Sequence, residues 1–301
     1  MRRIIQWSTY IHMDEQLKQL SATIITHADR FFLQQDREAE EEEGKEKENK
    51  NKSQRYLVAI AGRPGSGKTT IARKLCRLIN QHYVHQRRGP SEGEEKREER
   101  PMDSNDDVGT VDQSTHHHED HGIATVISLD GWHYPRSVLD QFEDPAEAHR
   151  RRGSVETFDG RSYREFVEEL VTSGGRSELR APGFSHTKKD PIAGAIGIYP
   201  WHRIVLLEGL YTLLETPPDW RVASALIHLP IRIDVAPSVA KNRLVRRHLL
   251  SGIAADPELA AQRVDSNDLP NGEYLLNHSR EPAIVISSVE DPTLTNTHET
   301  P

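Results

Sequence analysis

Gly62-Arg63-Pro64-Gly65-Ser66-Gly67-Lys68-Thr69 decides the fold of this 301-residue chain, because it fits G-x-x-x-x-G-K-[ST] and stands between a strand signal and a helix signal. Upstream, Tyr56-Leu57-Val58-Ala59-Ile60-Ala61 is a short apolar, β-prone run stopped by glycine. Downstream, Thr70 to His82 places Ile71, Leu75, Leu78 and Ile79 on one side of a helix. The spacing predicts strand, loop, helix. In that setting glycines let backbone N–H groups wrap a phosphate, and the helix N-terminus adds positive potential. Lys68 would reach the β and γ oxygens of ATP, and the Thr69 hydroxyl would ligate magnesium. Gly62, Arg63, Pro64, Gly65, Ser66, Gly67, Lys68, Thr69 and Thr70 are therefore the candidate nucleotide-binding residues.

Working outward, Ala124-Thr125-Val126-Ile127-Ser128-Leu129 reads as a second buried strand ending at Asp130, and Arg203-Ile204-Val205-Leu206-Leu207-Glu208 as a third. Ile231 to Val235 and Ala283 to Ile286 are further strand candidates, with a basic helix from Val239 to Leu250 between them. Asp144-Pro145-Ala146-Glu147 is a capping box with proline at the first helical position, and Gly153 closes that helix. Another amphipathic helix is expected from Tyr163 to Val171. Strands that alternate with helices, each strand nearly continuously apolar, predict an α/β fold: a parallel sheet with helices on both faces.

In such a sheet, ligands gather outside the carboxyl ends of the strands, which singles out Asp130 and Glu208. The Asp130 carboxylate would take a proton from an attacking hydroxyl, or else Asp130-Gly131 is an ordinary turn after a strand. Glu208 would hold magnesium or its water shell near the β and γ phosphates, or serve a turn. Arg243, Arg246 and Arg247 share a helix face, either solvated or available to close over a γ phosphate. The His149-Arg150-Arg151-Arg152 run suits a helix C-terminus without further function, or else would help hold an anionic substrate. The run His116-His117-His118-Glu119-Asp120-His121 has a metal-binding composition but no fixed geometry.

The chain carries 39 Lys and Arg against 47 Asp and Glu, a net charge of -8, so no general attraction to nucleic acid or an acidic membrane is expected and anion binding must be local. The single cysteine, Cys76, excludes an internal disulfide. No apolar run approaches the roughly 20 residues that cross a bilayer. A cytoplasmic protein is the expectation, with mitochondria kept open by Met1-Arg2-Arg3-Ile4-Ile5, although Asp14 and Glu15 follow closely. Residues 1–34 read as an amphipathic helix region, 35–54 as a charged solvated linker or frayed helix end, and 55–290 as one domain. That domain contains a polar insert at 86–121, and 291–301 is a tail.

Taken together, these residues resemble the superfamily of uridine kinase, phosphoribulokinase and pantothenate kinase, and most closely a fungal P-loop ATPase group within it. The resemblance covers roughly residues 55 to 290. Besides the phosphate loop it rests on Asp130-Gly131-Trp132-His133-Tyr134, on Ala148-His149-Arg150-Arg151-Arg152-Gly153 with Thr157-Phe158-Asp159, and on Pro182-Gly183-Phe184-Ser185-His186 with Lys189-Asp190-Pro191. Farther on it includes Glu208-Gly209-Leu210-Tyr211, Arg243 to His248, and Ser266-Asn267-Asp268 with Asn271-Gly272. It implies a P-loop NTPase three-layer fold with a helical lid. Asp130 would be the base, acting with Lys68, and Arg243, Arg246 and Arg247 the lid residues, with Arg246 on the nucleotide. His133, Tyr134, Arg136, His186 and Asp190 would line an acceptor pocket. Ser185 stands where relatives often have aspartate, Trp132 replaces phenylalanine, and Ala225 to Pro230 departs from the usual strand before the lid. The function so implied is ATP- and magnesium-dependent phosphoryl transfer to a hydroxyl of a small metabolite. The rival expectation is a regulatory ATPase without an acceptor. Oligomeric state is open, a homo-oligomer included.

Overall fold

The computed structural model describes residues 5–6, 13–42, 54–88, 122–185 and 187–288. Its centre is β2 (Tyr56–Gly62), in which every residue is buried. A strand sends successive side chains to opposite faces, so Leu57, Ala59 and Ala61 enter one core while Tyr56, Val58 and Ile60 enter another. β2 pairs in parallel with β6 (Ile204–Glu208) on one side and β7 (Leu229–Asp234) on the other, which sets Val58 opposite both Leu206 and Leu229. β3 (Ala124–Ser128) pairs with β6, β8 (Ile284–Ser287) with β7, and β1 (Ile5–Gln6) with β8, all in parallel. The six-stranded order is β1-β8-β7-β2-β6-β3. The four strands expected downstream of the phosphate loop all form, the one near 231 starting earlier because Leu229 and Pro230 already pair with β2.

Helices cover both faces, as the uninterrupted apolar strands require. On one face α1 (Met13–Glu42) and α2 (Lys68–Arg88) close a core through Leu17, Leu20, Ile24, Ile71, Leu75 and Ile79. On the other, α5 (Gly160–Thr172) and α6 (Pro218–Ala225) contribute Tyr163, Phe166, Val167, Leu170, Trp220 and Ala223. Leu20, Ile24, Leu75 and Ile79 are wholly buried, each worth about 1.5–3 kcal/mol of transfer free energy. No helix among the described residues is long and apolar enough to cross a membrane.

Two boundaries move. α1 continues to Glu42, so residues 35–42 of the charged stretch are helical. Glutamate and glutamine are good helix formers, and the Gln34 amide donates to Glu38 one turn on, at 2.8 Å. Likewise α2 runs to Arg88, into the start of the polar insert. Residues 43–53 of that stretch, 89–121 of the insert with the histidine run, and the tail lie outside the described residues.

Beyond β3 the chain forms a short 3-10 turn (Leu129–Trp132), then α3 (Arg136–Leu139) and α4 (Pro145–Arg150). Asp144 caps α4 by accepting the Glu147 N–H at 2.9 Å, as its capping box predicts. A separate antiparallel hairpin follows, β4 (Leu179–Ser185) with β5 (Asp190–Ile198), which the sequence does not announce. Pro191, Gly194 and Gly197 break its alternation, and Lys189 turns it at φ 55°. After β7 come α7 (Pro237–Leu250), α8 (Pro257–Arg263), a π-turn (Val264–Asp268) and α9 (Leu269–His278).

Candidate phosphoryl-transfer cleft

The phosphate loop joins the end of β2 to the start of α2 at the carboxyl edge of the sheet. Gly65 and Gly67 take φ of 79° and 82°, backbone that side chains rarely adopt. A Cβ on Gly62 would stand 2.8 Å from the Ile233 carbonyl, and one on Gly65 at 2.8 Å from that of Ala240. Only glycine permits this tight ring. The Ser66 hydroxyl inside it is buried with no protein partner. The first N–H groups of α2 open on the same ring, so the cradle and its orphaned polar atom fit a bound phosphate chain.

Lys68 and Thr69 are the first two residues of α2. The Thr69 hydroxyl lies 3.2 Å from both carboxylate oxygens of Glu208, the last residue of β6. This pair of oxygen donors suits a hard cation such as magnesium. Glu208 is 1% exposed, and burial pushes its carboxyl up, with Lys68 pulling it back and Asp130 adding to the rise. Burial lowers Lys68, against the opposing pull of Glu208 and Asp130. Asp130 is two residues beyond Ser128, which is paired with Glu208 across β3 and β6. Both acids therefore reach the strand ends beside the loop lysine, as anticipated. Thr70 is exposed on the first turn of α2.

Opposite stands a second bank. His133 packs on the ring of Phe158, centroids 3.9 Å apart, and near Phe184 of the hairpin. Its Nδ1 sits 2.9 Å from the Asp130 carbonyl, which can only accept, so Nδ1 carries the proton. Burial lowers its pKa most, partly offset by Asp130 and reinforced by Arg152, which leaves a neutral ring. Asp190 is half-buried: its carboxylate accepts the Arg136 N–H at 3.0 Å and Arg152 Nη2 at 2.9 Å. Arg152 also donates to the carbonyls of Tyr134 and Lys189 and covers the Phe184 ring. The Arg136 side chain is exposed at the start of α3, and Tyr134 is half-buried before it. His186 lies outside the described residues.

α7 supplies the third wall. Arg243 donates to the Gly65 carbonyl at 3.2 Å and to the Ser288 hydroxyl at 2.9 Å, clamping the phosphate loop. Arg243, Arg246 and Arg247, with Leu250 and Ser251, line a shallow open hollow of about 390 Å³ along α7, and Arg247 lies close enough to Lys68 to depress its pKa.

No family model matches the chain. Individual proteins do. Over 314 residues it is 29% identical to "ATP-dependent kinase YFH7" of Lachancea thermotolerans, spanning 74% of this chain and 89% of that protein. Over 236 residues it is 32% identical to "Putative uridine kinase C227.14" of Schizosaccharomyces pombe, spanning 78% of this chain and 84% of that one. The chain belongs to the uridine kinase-like P-loop kinases. Among solved structures it matches that of YFH7 from Saccharomyces cerevisiae, described as "a putative P-loop containing kinase with a circular permutation". The TM-score is 0.60 at 25% identity, over 79% of this chain and 93% of that one.

Two departures of this P-loop kinase from the family pattern find their places. The Ser185 hydroxyl accepts the Lys188 N–H at 3.1 Å and is 2% exposed, so it shapes the hairpin turn. Trp132 is buried against Tyr163 and Phe166, on the core side of the 3-10 turn. Sequence reasoning missed Arg152 as the partner of Asp190. An Asp and an Arg 38 positions apart carry no local signal, and only the hairpin joins them. It also missed the tie of α7 to the π-turn, where His248 and Asp268 meet at 2.8 Å.

Proposed function

We propose that this protein is an ATP- and magnesium-dependent kinase that phosphorylates a hydroxyl of a small metabolite. The observation that carries the reading is the convergence of two acids from adjacent strands, Asp130 and Glu208, on the phosphate-loop lysine. Thr69 and Glu208 would hold magnesium, which supplies positive charge beside the β and γ oxygens. No hydrogen bond from the described residues ends on the Asp130 carboxylate, so it stands available to an acceptor hydroxyl. As that oxygen forms its bond to the γ phosphorus, the bond to the β–γ bridging oxygen breaks, ADP leaves, and the hydroxyl proton passes to Asp130. Lys68, Arg246 and Arg247 offset the charge that spreads over the transferring group, while Arg243 holds the loop in shape. Neutral His133, fixed with its proton on Nδ1, offers a lone pair at Nε2 to a donor on the acceptor. Arg136 and Tyr134 complete that wall, with Asp190 acting from behind through Arg152.

The names of both relatives, a uridine kinase and an ATP-dependent kinase, support this class without naming the acceptor here. The test is ATP turnover with magnesium, alone and with nucleosides, pantothenate and sugar phosphates, using Lys68→Ala as the blank. The expected result is one compound that speeds ADP release and gains phosphate by mass. Turnover that stays slow and indifferent to every compound, with the blank inactive, would replace the kinase by an acceptor-free ATPase.

A further inference from the structure

The helix running from Pro257 to His278 is interrupted by a π-turn at Val264–Asp268, closed by the Leu269 N–H donating to the Val264 carbonyl. Pro270 accounts for it. Proline has no N–H for the Ser266 carbonyl four residues earlier, and its ring clashes there, so the turn widens. The released Ser266 carbonyl accepts Arg151 Nη1 at 3.4 Å. The same guanidinium donates from Nη1 to Asn267 Oδ1 at 3.2 Å and from Nη2 to Asn271 Oδ1 at 3.4 Å. Both asparagines are nearly fully buried, at 2% and 3% exposure. Their amide nitrogens are committed elsewhere, Asn267 to the Arg152 carbonyl at 3.0 Å and Asn271 to Asn267 at 3.5 Å. Their oxygens are thereby turned toward Arg151.

All three acceptors are neutral. Glu156 stands 3.9 Å from Arg151 Nε with its side chain 56% exposed, too far for a hydrogen bond. The neighbouring Arg152, by contrast, is paired with Asp190 at 2.9 Å. Arg151 is thus fixed by neutral acceptors, and its carboxylate partner, Glu156, makes only a long ion pair at the Nε edge. The socket occupies Nη1 and one N–H of Nη2, so an oxyanion would take Nε–H and the other Nη2–H bidentately by displacing the half-exposed Glu156 carboxylate from the Nε edge. Its position matches that use. Asn271 is followed by Gly272, where a Cβ would lie 2.9 Å from Arg63 Cβ of the phosphate loop. Tyr211, three residues past Glu208, donates to the Gly153 carbonyl at 3.0 Å; burial raises its hydroxyl most, then Glu156, with Arg151 opposing.

We propose that Arg151, seated in this neutral socket, is an oxyanion-binding residue of the transfer cleft, taking phosphate or carboxylate oxygens on its Nε/Nη2 fork. The inference rests on the phosphoryl-transfer reading above. The oxyanion has two sources, the γ phosphate of the nucleotide or an anionic group on the acceptor. Asn267 and Asn271 are positioning residues that act through Arg151.

Calorimetric titration separates the outcomes. The ligands are ADP, the β,γ-imido analogue of ATP, and, on ADP-saturated protein, glycerol 3-phosphate, glycerate and neutral glycerol. Arg151→Gln is expected to leave ADP affinity unchanged and to lower by about tenfold either the imido analogue, identifying the γ phosphate, or the anionic glycerol compounds, identifying the acceptor. Arg151→Lys keeps the charge without the fork and recovers part of the loss. Should Arg151→Gln not fold, Asn271→Asp neutralises Arg151 in place and predicts the same selective loss. Unchanged binding in both arms, or an equal fall for ADP and the imido analogue, overturns the proposal and leaves Arg151 a structural clamp. Lys68→Ala is titrated alongside: if it binds the imido analogue like wild type, the kinase reading fails, whatever Arg151 does.

Discussion

On the phosphate side of the cleft, burial works against the charges it encloses, pulling Lys68 down and pushing Glu208 up. On the acceptor side, Arg152 and Asp190 meet at 2.9 Å, and Nη1 and Nη2 of Arg152 also donate to backbone carbonyls. One bank stores charge for a ligand, and the other uses charge to hold itself together. Substitutions should therefore have opposite consequences on the two banks. Loss of a charge on the first removes activity without loss of stability, and loss on the second reduces stability and disturbs acceptor binding alone.

The largest effect is expected on the first bank. Lys68→Ala should lower ATP turnover on the order of a thousandfold, the usual cost of removing a preorganised donor to the transferring group. Asp130→Asn should keep ATP binding within about threefold while turnover falls at least about a hundredfold, because only the proton acceptor is lost. Equilibrium nucleotide binding beside steady-state turnover checks both. Full turnover by Asp130→Asn would remove Asp130 from the chemistry.

On the second bank, Arg152→Ala leaves the Asp190 carboxylate with only the Arg136 N–H and frees the hairpin turn. A loss of about 2 kcal/mol is expected by denaturant unfolding, the scale of a charge-assisted hydrogen bond. Acceptor KM should rise and nucleotide affinity should not move. Gly131→Ala tests the same bank by shape, since its Cβ would meet the Pro182 carbonyl at 2.2 Å and must displace β4. About 1–3 kcal/mol of overpacking is expected. If either variant weakened ATP binding as much as acceptor binding, the two banks would not be separable.

The same contrast explains what the sequence made legible. The phosphate loop, Asp130 and Glu208 each end or begin one element, so a local string of residues fixes both their placement and their neighbours. The parallel sheet was readable because β2 and β6 are apolar at every position except the acid that ends β6. The second bank depends on pairs such as Arg152 with Asp190 and Gly131 with Pro182, which lie far apart in the chain and meet only through the hairpin. Pro191, Gly194 and Gly197 made β5 read as loop, and nothing local marks the socket of Arg151 except Pro270, whose consequence appears only once the helix around it is seen.

The smallest expected change is also the most diagnostic, because its sign is unusual. Burial raises the Glu208 carboxyl in the folded protein above its unfolded value, so the folded state holds its proton over a pH range where the unfolded chain has released it. The stability that Glu208 contributes is then present at low pH and is lost as pH rises from the ordinary carboxylate range through the folded value. Glu208→Gln removes that dependence. It should match wild type in stability in acid and exceed it by about 1 kcal/mol at neutral pH, the scale on which function-imposed strain is relieved, even as magnesium-dependent turnover collapses. Thermal unfolding of both proteins from acid to neutral pH, without nucleotide or metal, measures it. A Glu208→Gln protein that is less stable at neutral pH would mean that the Thr69 and Lys68 contacts outweigh burial, and that this bank, like the other, uses its charges to hold itself together.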